Sequence, residues 1–172
     1  LQISKKSCTF AAQKNVPIML EAFYKTHNYL VDHVQVPARR LLMDEINWND
    51  RLIAIKGGRG VGKTDFLLNY AKELRTTNPE LSKRTLYVNF NDFYFTEHSL
   101  VEFAGEFVAA GGHTLLIDQA FKYPNWSREL SQCYYNYKDL HIVFTASSVM
   151  RLVEDNKDLC SIVHPYNLRG FS

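Results

Sequence analysis

The sequence predicts an α/β fold in which a parallel β-sheet is covered by helices on both faces. Apolar runs of strand length alternate with segments whose apolar residues recur at helical spacing, and this alternation is typical of parallel sheets. The first apolar run, 51–56, leads into a glycine-rich loop and then into a helical pattern, which is the context that a phosphate-binding loop needs. Right-handed crossovers would bring the carboxyl ends of all strands to one edge of the sheet, where ligands bind.

The individual strands and helices follow from the same periodicities. Strands are predicted at 51–56, 84–90, 114–118, 140–145 and 161–166. Helices are predicted at 16–36, 38–46, 65–74, 99–110 and 126–137, with a further short helix that ends near residue 153. Pro37 ends the first helix because proline lacks a backbone N–H, and Gly111 with Gly112 stops the helix at 99–110. Outside the helices and strands, the sequence predicts a polar arm at 1–15, a turn at 47–50, a break at 76–79 and an aromatic turn at 91–95.

The composition limits the classes of function. A chain of 172 residues with 46% apolar content can bury the core of one domain. The net charge of +2 is too small to favour nucleic acid or a membrane surface as the partner, and no apolar run reaches the roughly 18 residues of a transmembrane helix. Because Cys8, Cys133 and Cys160 form no C-x-x-C pair, we expect free thiols in a cytoplasmic protein rather than a zinc site or disulfides.

The glycine-rich loop matches the phosphate-loop pattern G-x-x-x-x-G-K-[ST], with Lys63 and Thr64 at its end. Glycines let the backbone turn tightly and point its N–H groups at an anion, and the following helix adds the positive end of its dipole. Lys63 is expected to reach the β- and γ-phosphates of a nucleotide, and the Thr64 hydroxyl to bind Mg²⁺. The alternative is a glycine turn without chemical meaning. The predicted nucleotide-binding set is Gly57, Gly58, Arg59, Gly60, Val61, Gly62, Lys63, Thr64 and Asp65.

A second candidate group follows the third strand. Asp118 ends an apolar run, and an acid at this place can hold Mg²⁺ directly or through water; the alternative is an aspartate that caps the next turn. Many ATPases of this kind have a glutamate next, which activates the attacking water, but here the residue is Gln119. Because an amide cannot accept the proton of that water, the loss in rate is about 10² to 10⁴. The sequence therefore predicts a site that binds ATP and hydrolyses it slowly, if at all.

Two further aromatic or basic features have alternative interpretations. Trp48, or the segment with Arg39 and Arg40, could border the base of the nucleotide, although a packing tryptophan and two solvated arginines are the favoured reading. The aromatic stripe of 126–137 is expected to belong to the core rather than to a base-stacking platform. No N-K-x-D pattern for guanine is evident, which favours ATP over GTP.

Three segments resemble the AAA-type ATPases of bacteria and archaea, in the branch that carries an uncharacterised C-terminal domain. They are residues 52–64, 115–127 and 142–148, and the likeness covers about residues 28–172. The resemblance implies a three-layer P-loop NTPase fold with a five-stranded sheet of order 5-1-4-3-2. It further implies an N-terminal arm and helix at 1–37 and an ATPase domain at 38–172, with the C-terminal domain lying beyond this chain.

The resemblance also assigns roles at the end of the fourth strand. A polar residue there, Ser147, would sense the γ-phosphate, with Thr145 and Ser148 as alternatives. The implied catalytic set is therefore Lys63, Gln119 and Ser147.

The chain departs from this family at several positions. Asp65 stands where a second threonine is common, Ala146 replaces the usual glycine, and 159–162 lacks the arginines of relatives. An arginine finger can increase the rate about 10³- to 10⁵-fold, so its absence again predicts slow turnover. Arg151 and Arg169 are weak substitutes.

Three functional hypotheses result. The first is an ATP- and Mg²⁺-binding ATPase module, and the second is a nucleotide-gated switch or interaction module with vestigial hydrolysis. The third, a small-molecule kinase, would need an acceptor site and an arginine-rich lid that the sequence does not show. Expected partners are the C-terminal domain or another protein, and further copies in an oligomer; a membrane or nucleic acid is not supported.

Overall fold

Five parallel strands form a single sheet in the part of the chain that the computed structural model describes, residues 17–35, 39–147 and 157–170. The strands are β1 (Leu52–Gly57), β2 (Thr85–Asn89), β3 (Thr114–Asp118), β4 (His141–Ser147) and β5 (His164–Asn167). Their order is β2-β3-β4-β1-β5, and each neighbouring pair is parallel. The order 5-1-4-3-2 implied by the resemblance is confirmed.

Helices connect the strands and cover both faces of the sheet. They are α1 (Ile18–His33), α2 (Leu42–Glu45), α3 (Lys63–Thr77), α4 (Pro79–Lys83), α5 (Tyr94–Glu97), α6 (Leu100–Ala109), α7 (Trp126–Asn136) and α8 (Lys157–Ile162), with a 3₁₀ turn at Ala120–Lys122. None of these helices combines the length and the apolar character needed to cross a membrane.

Alternating strand residues divide the apolar core into two layers. On one face, α6 and α7 cover residues such as Leu115 and Phe144, and the predicted aromatic stripe of α7 packs into this layer. On the other face, α3 and α2 cover Ile53, Leu116 and Val143. The three-layer α/β architecture is therefore confirmed.

Several predicted boundaries are wrong for identifiable reasons. The predicted fifth strand begins too early, because Ser161 belongs to α8 and the strand begins at His164, where pairing with β1 starts. The break at 76–79 contains the start of α4, since the Asn78 side chain accepts the Leu81 N–H and Pro79 occupies the first turn. The aromatic turn at 91–95 likewise leads into the short helix α5.

Other predictions cannot be compared with the structure. The arm at 1–15, the thiol of Cys8, Pro37, Ser148 and the short helix ending near residue 153 lie outside the described residues. Cys133, by contrast, is buried, and burial raises the pKa of its thiol to about 12.

Helix α1 crosses the open edge of the sheet beside β2. Its first half contributes Leu20 to one core layer, and its second half contributes Val31 to the other. Between them, the buried His27 accepts a hydrogen bond from the Tyr87 N–H through Nδ1, at 2.9 Å. A backbone donor of the edge strand is thereby satisfied, which protects the edge from pairing with another strand. The division of the chain at residue 37 stays a prediction, but α1 shares the core of the domain.

His27 should make the stability of the fold depend on pH. Burial lowers the pKa of His27 to about 4, the charge of Arg75 acts in the same direction, and Asp32 opposes it. An unfolded histidine titrates near pH 6.5, so the unfolded chain binds the proton first as the pH falls. The contribution of His27 is therefore complete above about pH 6.5 and is lost progressively toward pH 4, by about 2 kcal/mol at pH 4.5.

Urea unfolding at pH 7 and pH 4.5 tests this expectation. The change His27→Gln, which keeps an acceptor but removes the titration, should reduce the difference between the two free energies of unfolding. The same change at the exposed His33 of α1 controls for replacing a histidine in this helix. An equal pH dependence in wild type and His27→Gln would show that His27 does not carry the effect.

Candidate functional site

The glycine-rich loop joins β1 directly to the N-terminus of α3. Gly60 and Gly62 have φ angles of +82° and +93°, which residues with a Cβ rarely adopt. Gly62 is the N-cap of α3 and has no side chain with which to accept the N–H groups of the first turn. The helix begins at Lys63 rather than at residue 65 as predicted, so Lys63 and Thr64 lie in its first turn.

Close packing explains the first glycine of the pattern. A Cβ on Gly57 would lie 2.8 Å from Val61 Cγ2 and 2.9 Å from the carbonyl oxygen of Leu168. A Cβ on Gly58 would lie 3.8 Å from its nearest neighbour, Val61 Cγ1, which is an ordinary contact. Of these two glycines, only Gly57 is therefore required by the space around it.

Lys63 extends back over the loop. Its Nζ donates to the carbonyl oxygens of Gly57 at 2.6 Å and Gly58 at 3.3 Å. Burial lowers the pKa of Lys63, while the negative charge of Asp118 acts in the opposite direction. Because Lys63 precedes Thr64 in the first turn of α3 and Thr64 contacts Asp118, Lys63 and Asp118 lie at the same edge of the sheet, as predicted from the sequence.

The buried carboxylate of Asp118 accepts four hydrogen bonds. Its Oδ2 accepts from the Thr64 hydroxyl at 2.5 Å and from the Tyr87 hydroxyl at 2.7 Å. Its Oδ1 accepts from the Thr145 hydroxyl at 2.7 Å and from the Gln119 N–H at 3.0 Å. Because donors from β2, β4, the turn after β3 and the first turn of α3 converge on it, the carboxylate is held in a fixed orientation beside the loop.

Strand geometry explains why these groups meet. Successive side chains of a strand point to opposite faces, and Leu116 and Val143, two residues before Asp118 and Thr145, lie in the core layer under α3. Asp118 is in register with Asn89 of β2, so Tyr87 reaches it from the neighbouring strand. These side chains therefore share the face that carries the N-terminus of α3.

Tyr87 is a member of the site that the sequence analysis missed. Burial and the charge of Asp118 raise its pKa well above the usual value, so the phenol stays protonated and donates to the carboxylate. In the sequence, Tyr87 lies between the apolar residues Leu86 and Val88 and looks like an ordinary core side chain.

The three candidates for the end of the fourth strand are placed differently. Ser147 is in register with Gly57 of the neighbouring strand, so it lies beside the loop. The Thr145 hydroxyl donates to Asp118 and accepts from the Gln119 N–H at 3.0 Å. Thr145 therefore orients the end of β3, whereas Ser148 lies outside the described residues.

Gln119 has an unusual backbone conformation. Its φ angle is +54°, a left-handed conformation that costs a non-glycine residue about 1–2 kcal/mol. The two acceptors of its N–H, Asp118 Oδ1 and Thr145 Oγ1, hold the chain in this conformation. The direction in which the chain leaves β3 thus depends on the hydrogen bonds of Asp118.

The favoured interpretation of Trp48 is confirmed. Trp48 precedes β1 and therefore lies at the opposite edge of the sheet from Gly57. It stacks on Tyr70 with ring centroids 3.8 Å apart and donates from Nε1 to the Met43 carbonyl. Trp48 is thus a packing residue and cannot border a nucleotide bound at the loop.

The expectation of two solvated arginines holds for the exposed Arg39 and is wrong for Arg40, which is partly buried against the glycine-rich loop. Arg39 forms surface ion pairs with Asp44 and Glu73, both at 2.6 Å. Arg40 donates to the Val61 carbonyl of the glycine-rich loop at 2.5 Å. Both arginines precede α2, so the predicted helix at 38–46 is shorter than expected.

The remaining predicted residues accompany the loop. Arg59 lies at its exposed tip, and Asp65 lies exposed in the first turn of α3, where an acid interacts favourably with the helix dipole. Arg169 is exposed, and its carbonyl accepts from Arg40. Arg151 lies outside the described residues.

Comparison with known protein families identifies the family of this chain. Residues 49–172 match the family model described as an AAA domain. The chain belongs to the AAA domain family. The matched region of this AAA domain contains all five strands and the glycine-rich loop, whereas α1 and α2 precede it.

Solved structures contain similar folds. The structure of C. elegans PCH-2 is 20% identical with a TM-score of 0.51, over 90% of this chain and 42% of that one. AMPPCP-bound DnaA from Aquifex aeolicus is 15% identical with a TM-score of 0.47, over 87% of this chain and 47% of that one. This chain thus spans less than half the length of either protein. At 20% identity, the likeness to PCH-2 shows the fold alone. No curated protein sequence matches the chain.

The two glycines at the end of β1 should respond differently to the same change. Gly57→Ala should lower the free energy of unfolding by about 2 kcal/mol, because its methyl group would overlap Val61 and the Leu168 carbonyl. Gly58→Ala should have a much smaller effect. Thermal and urea unfolding of both variants measure the difference, and equal stability of the two would contradict the close approach described here.

Proposed function

We propose that this AAA domain binds ATP together with Mg²⁺ at the carboxyl edge of its sheet. The observation that carries the proposal is the hydrogen bond of 2.5 Å between Thr64 and Asp118, which joins the phosphate loop to the acid that ends β3. Thr64 and Lys63 lie in the first turn of α3, a 15-residue helix. The hydrogen bond therefore places the Asp118 carboxylate at the start of this helix, next to Lys63. The donors that suit a triphosphate and the acceptors that suit a hard cation are thus within one site.

The phosphates would be held by the loop and by the start of α3. The left-handed conformations of Gly60 and Gly62, on either side of Val61, would direct N–H groups toward one concavity, which is a favourable environment for an anion. The positive end of the α3 dipole adds to this attraction. Lys63, now donating to two loop carbonyls, has a side chain long enough to contact the phosphates instead.

The residues beside the loop fit Mg²⁺. This ion prefers oxygen ligands and is usually bound by one or two protein groups together with substrate phosphates. Thr64 donates its proton to Asp118, which leaves the lone pairs of the hydroxyl available to a cation. Asp118 would hold the ion through its carboxylate, directly or through water, while Tyr87 and Thr145 fix its orientation. The bound ion would neutralise charge on the phosphates during transfer.

Hydrolysis is proposed to be slow. Gln119 follows Asp118 directly, and its amide can orient a water molecule but cannot accept the proton of that water. Ser147, beside Gly57, is proposed to contact the γ-phosphate. The site would therefore hold ATP well and convert it slowly.

The second candidate function is a nucleotide-gated switch in which occupancy rather than turnover sets the conformation. The observation that favours it is the contact between the loop and the segment after β5, where the Leu168 carbonyl lies against Gly57. Three further statements stay proposals. They are a C-terminal domain or other protein partner, as implied by the family resemblance, an oligomeric assembly, and a cytoplasmic location.

Isothermal titration with ATP tests the binding site. Lys63→Ala should raise the dissociation constant about tenfold to a hundredfold, because it removes a charge-assisted hydrogen bond to phosphate. Thr64→Val should reduce the gain in affinity that Mg²⁺ provides. Lys72→Ala is the matched control, since Lys72 lies on the same helix and contacts the Val34 carbonyl away from the loop. An unchanged affinity in Lys63→Ala would refute the proposed site.

The two candidate functions are separated by Gln119→Glu. If the site is that of an ATPase without its general base, this change should increase phosphate release about 10²- to 10⁴-fold. The double variant Gln119→Glu with Asp118→Asn should lose the gain, because Mg²⁺ is then held poorly. No gain in steady-state phosphate release, at unchanged ATP affinity, would favour the switch.

A further inference from the structure

The guanidinium group of Arg40 joins two segments that are distant in the sequence. Its Nη2 donates to the Val61 carbonyl, 21 residues away, at 2.5 Å, and its Nη1 donates to the Arg169 carbonyl, 129 residues away. Val61 belongs to the phosphate loop, whereas Arg169 follows the last strand, β5. A single side chain thus contacts both the proposed nucleotide site and the segment that leaves the sheet.

The contact with Val61 fixes the orientation of one loop peptide. A Cβ on Gly62 would lie 3.2 Å from Arg40 Nη2, so the guanidinium packs closely against this part of the loop. In a trans peptide, the C=O and the N–H of the next residue point in opposite directions. Because the Val61 carbonyl points to Arg40, the Gly62 N–H points away from Arg40. The positive charge also polarises this peptide, which makes its N–H a stronger donor.

The segment after β5 lies along the same loop. The Leu168 N–H donates to the Lys56 carbonyl at 2.7 Å, which continues the pairing of β5 with β1. Beyond it, a Cβ on Gly170 would lie 4.0 Å from Val61 Cγ1. The Arg169 carbonyl, between these two contacts, is held by Arg40. Residues 168–170 are therefore positioned by contacts with β1, the loop and Arg40.

We propose that Arg40 is a positioning residue that presets the Gly62 N–H for a phosphate group and transmits occupancy of the loop to residues 168–170. This inference rests on the proposed binding of ATP. A ligand that immobilises the Val61–Gly62 peptide also immobilises the acceptor of Arg40, and hence the second segment that the same guanidinium holds. The nucleotide thereby regulates the order of the segment that follows β5.

The neighbouring Arg39 provides a matched control. It carries the same charge one residue away, and its hydrogen bonds go to Asp44 and Glu73 at the surface. A general attraction between basic side chains and the triphosphate would involve both arginines. A positioning role that depends on two carbonyls would involve Arg40 alone.

Two measurements on the same proteins test the proposal. Isothermal titration gives the dissociation constant for ATP in the presence of Mg²⁺, and hydrogen–deuterium exchange with and without ATP reports on residues 57–67 and 164–170. The proteins are wild type, Arg40→Gln, Arg40→Lys and Arg39→Gln. Arg40→Lys keeps the charge but lacks the planar two-pronged head that reaches both carbonyls.

In wild type and Arg39→Gln, ATP should slow exchange in both segments. In Arg40→Gln, the dissociation constant should rise about tenfold, since a charged hydrogen bond that orients a loop donor is lost. ATP should still protect 57–67 in that variant but no longer protect 164–170. Arg40→Lys should also lose the protection of 164–170, which a loss of charge alone would not explain.

The possible failures are distinct. If wild type does not bind ATP, the proposed function is wrong. If wild type binds ATP but Arg40→Gln binds equally well and still protects both segments, the role of Arg40 is refuted while nucleotide binding stands. If Arg39→Gln loses as much affinity as Arg40→Gln, simple charge attraction replaces positioning. Should Arg40→Gln fail to fold, the exchange pattern of Arg40→Lys decides in the same way.

Discussion

The arrangement of the site depends on how the buried carboxylate of Asp118 is held. A carboxylate removed from water is costly unless donors replace the lost hydration, and here hydroxyl and N–H groups supply four hydrogen bonds. These donors come from β2, β4, α3 and the turn after β3. The same set of bonds therefore brings the strand ends together, orients the start of α3 and fixes the unusual conformation of Gln119. The Asp118 carboxylate therefore both stabilises the fold and is the proposed ligand of Mg²⁺.

Much of the fold could be predicted because its signals are local. The alternation of apolar runs with helical patterns gave the strands and main helices, and the pattern at 57–64 located the turn between β1 and α3. Asp118 could be predicted as a site residue because an acid that ends a parallel strand lies at the carboxyl edge of the sheet, where the loop also lies. The fifth strand was placed too early because its residues are mostly exposed and provide no apolar pattern.

The missed contributors share a physical cause, since their partners are distant in the sequence. Tyr87 lies 31 residues from Asp118, and nothing within β2 indicates that its hydroxyl reaches a carboxylate. Arg40 contacts carbonyl groups, which every residue possesses, so no sequence pattern could reveal its two acceptors. Such residues become visible only when strand register and chain crossings are known. The roles assigned to Gln119 and Ser147, by contrast, came from a family resemblance and stay proposals.

The position of α1 has a practical consequence for anyone who trims this chain. The family match begins at residue 49, which would suggest discarding everything before it. A protein shortened in that way would lose His27, Leu20 and Val31, so the outward amide of Tyr87 and the apolar ends of both core layers would become accessible to water. An uncovered strand with a free donor is a template for pairing with a second copy. The shortened protein would consequently self-associate through this uncovered edge, in a way that the longer chain does not.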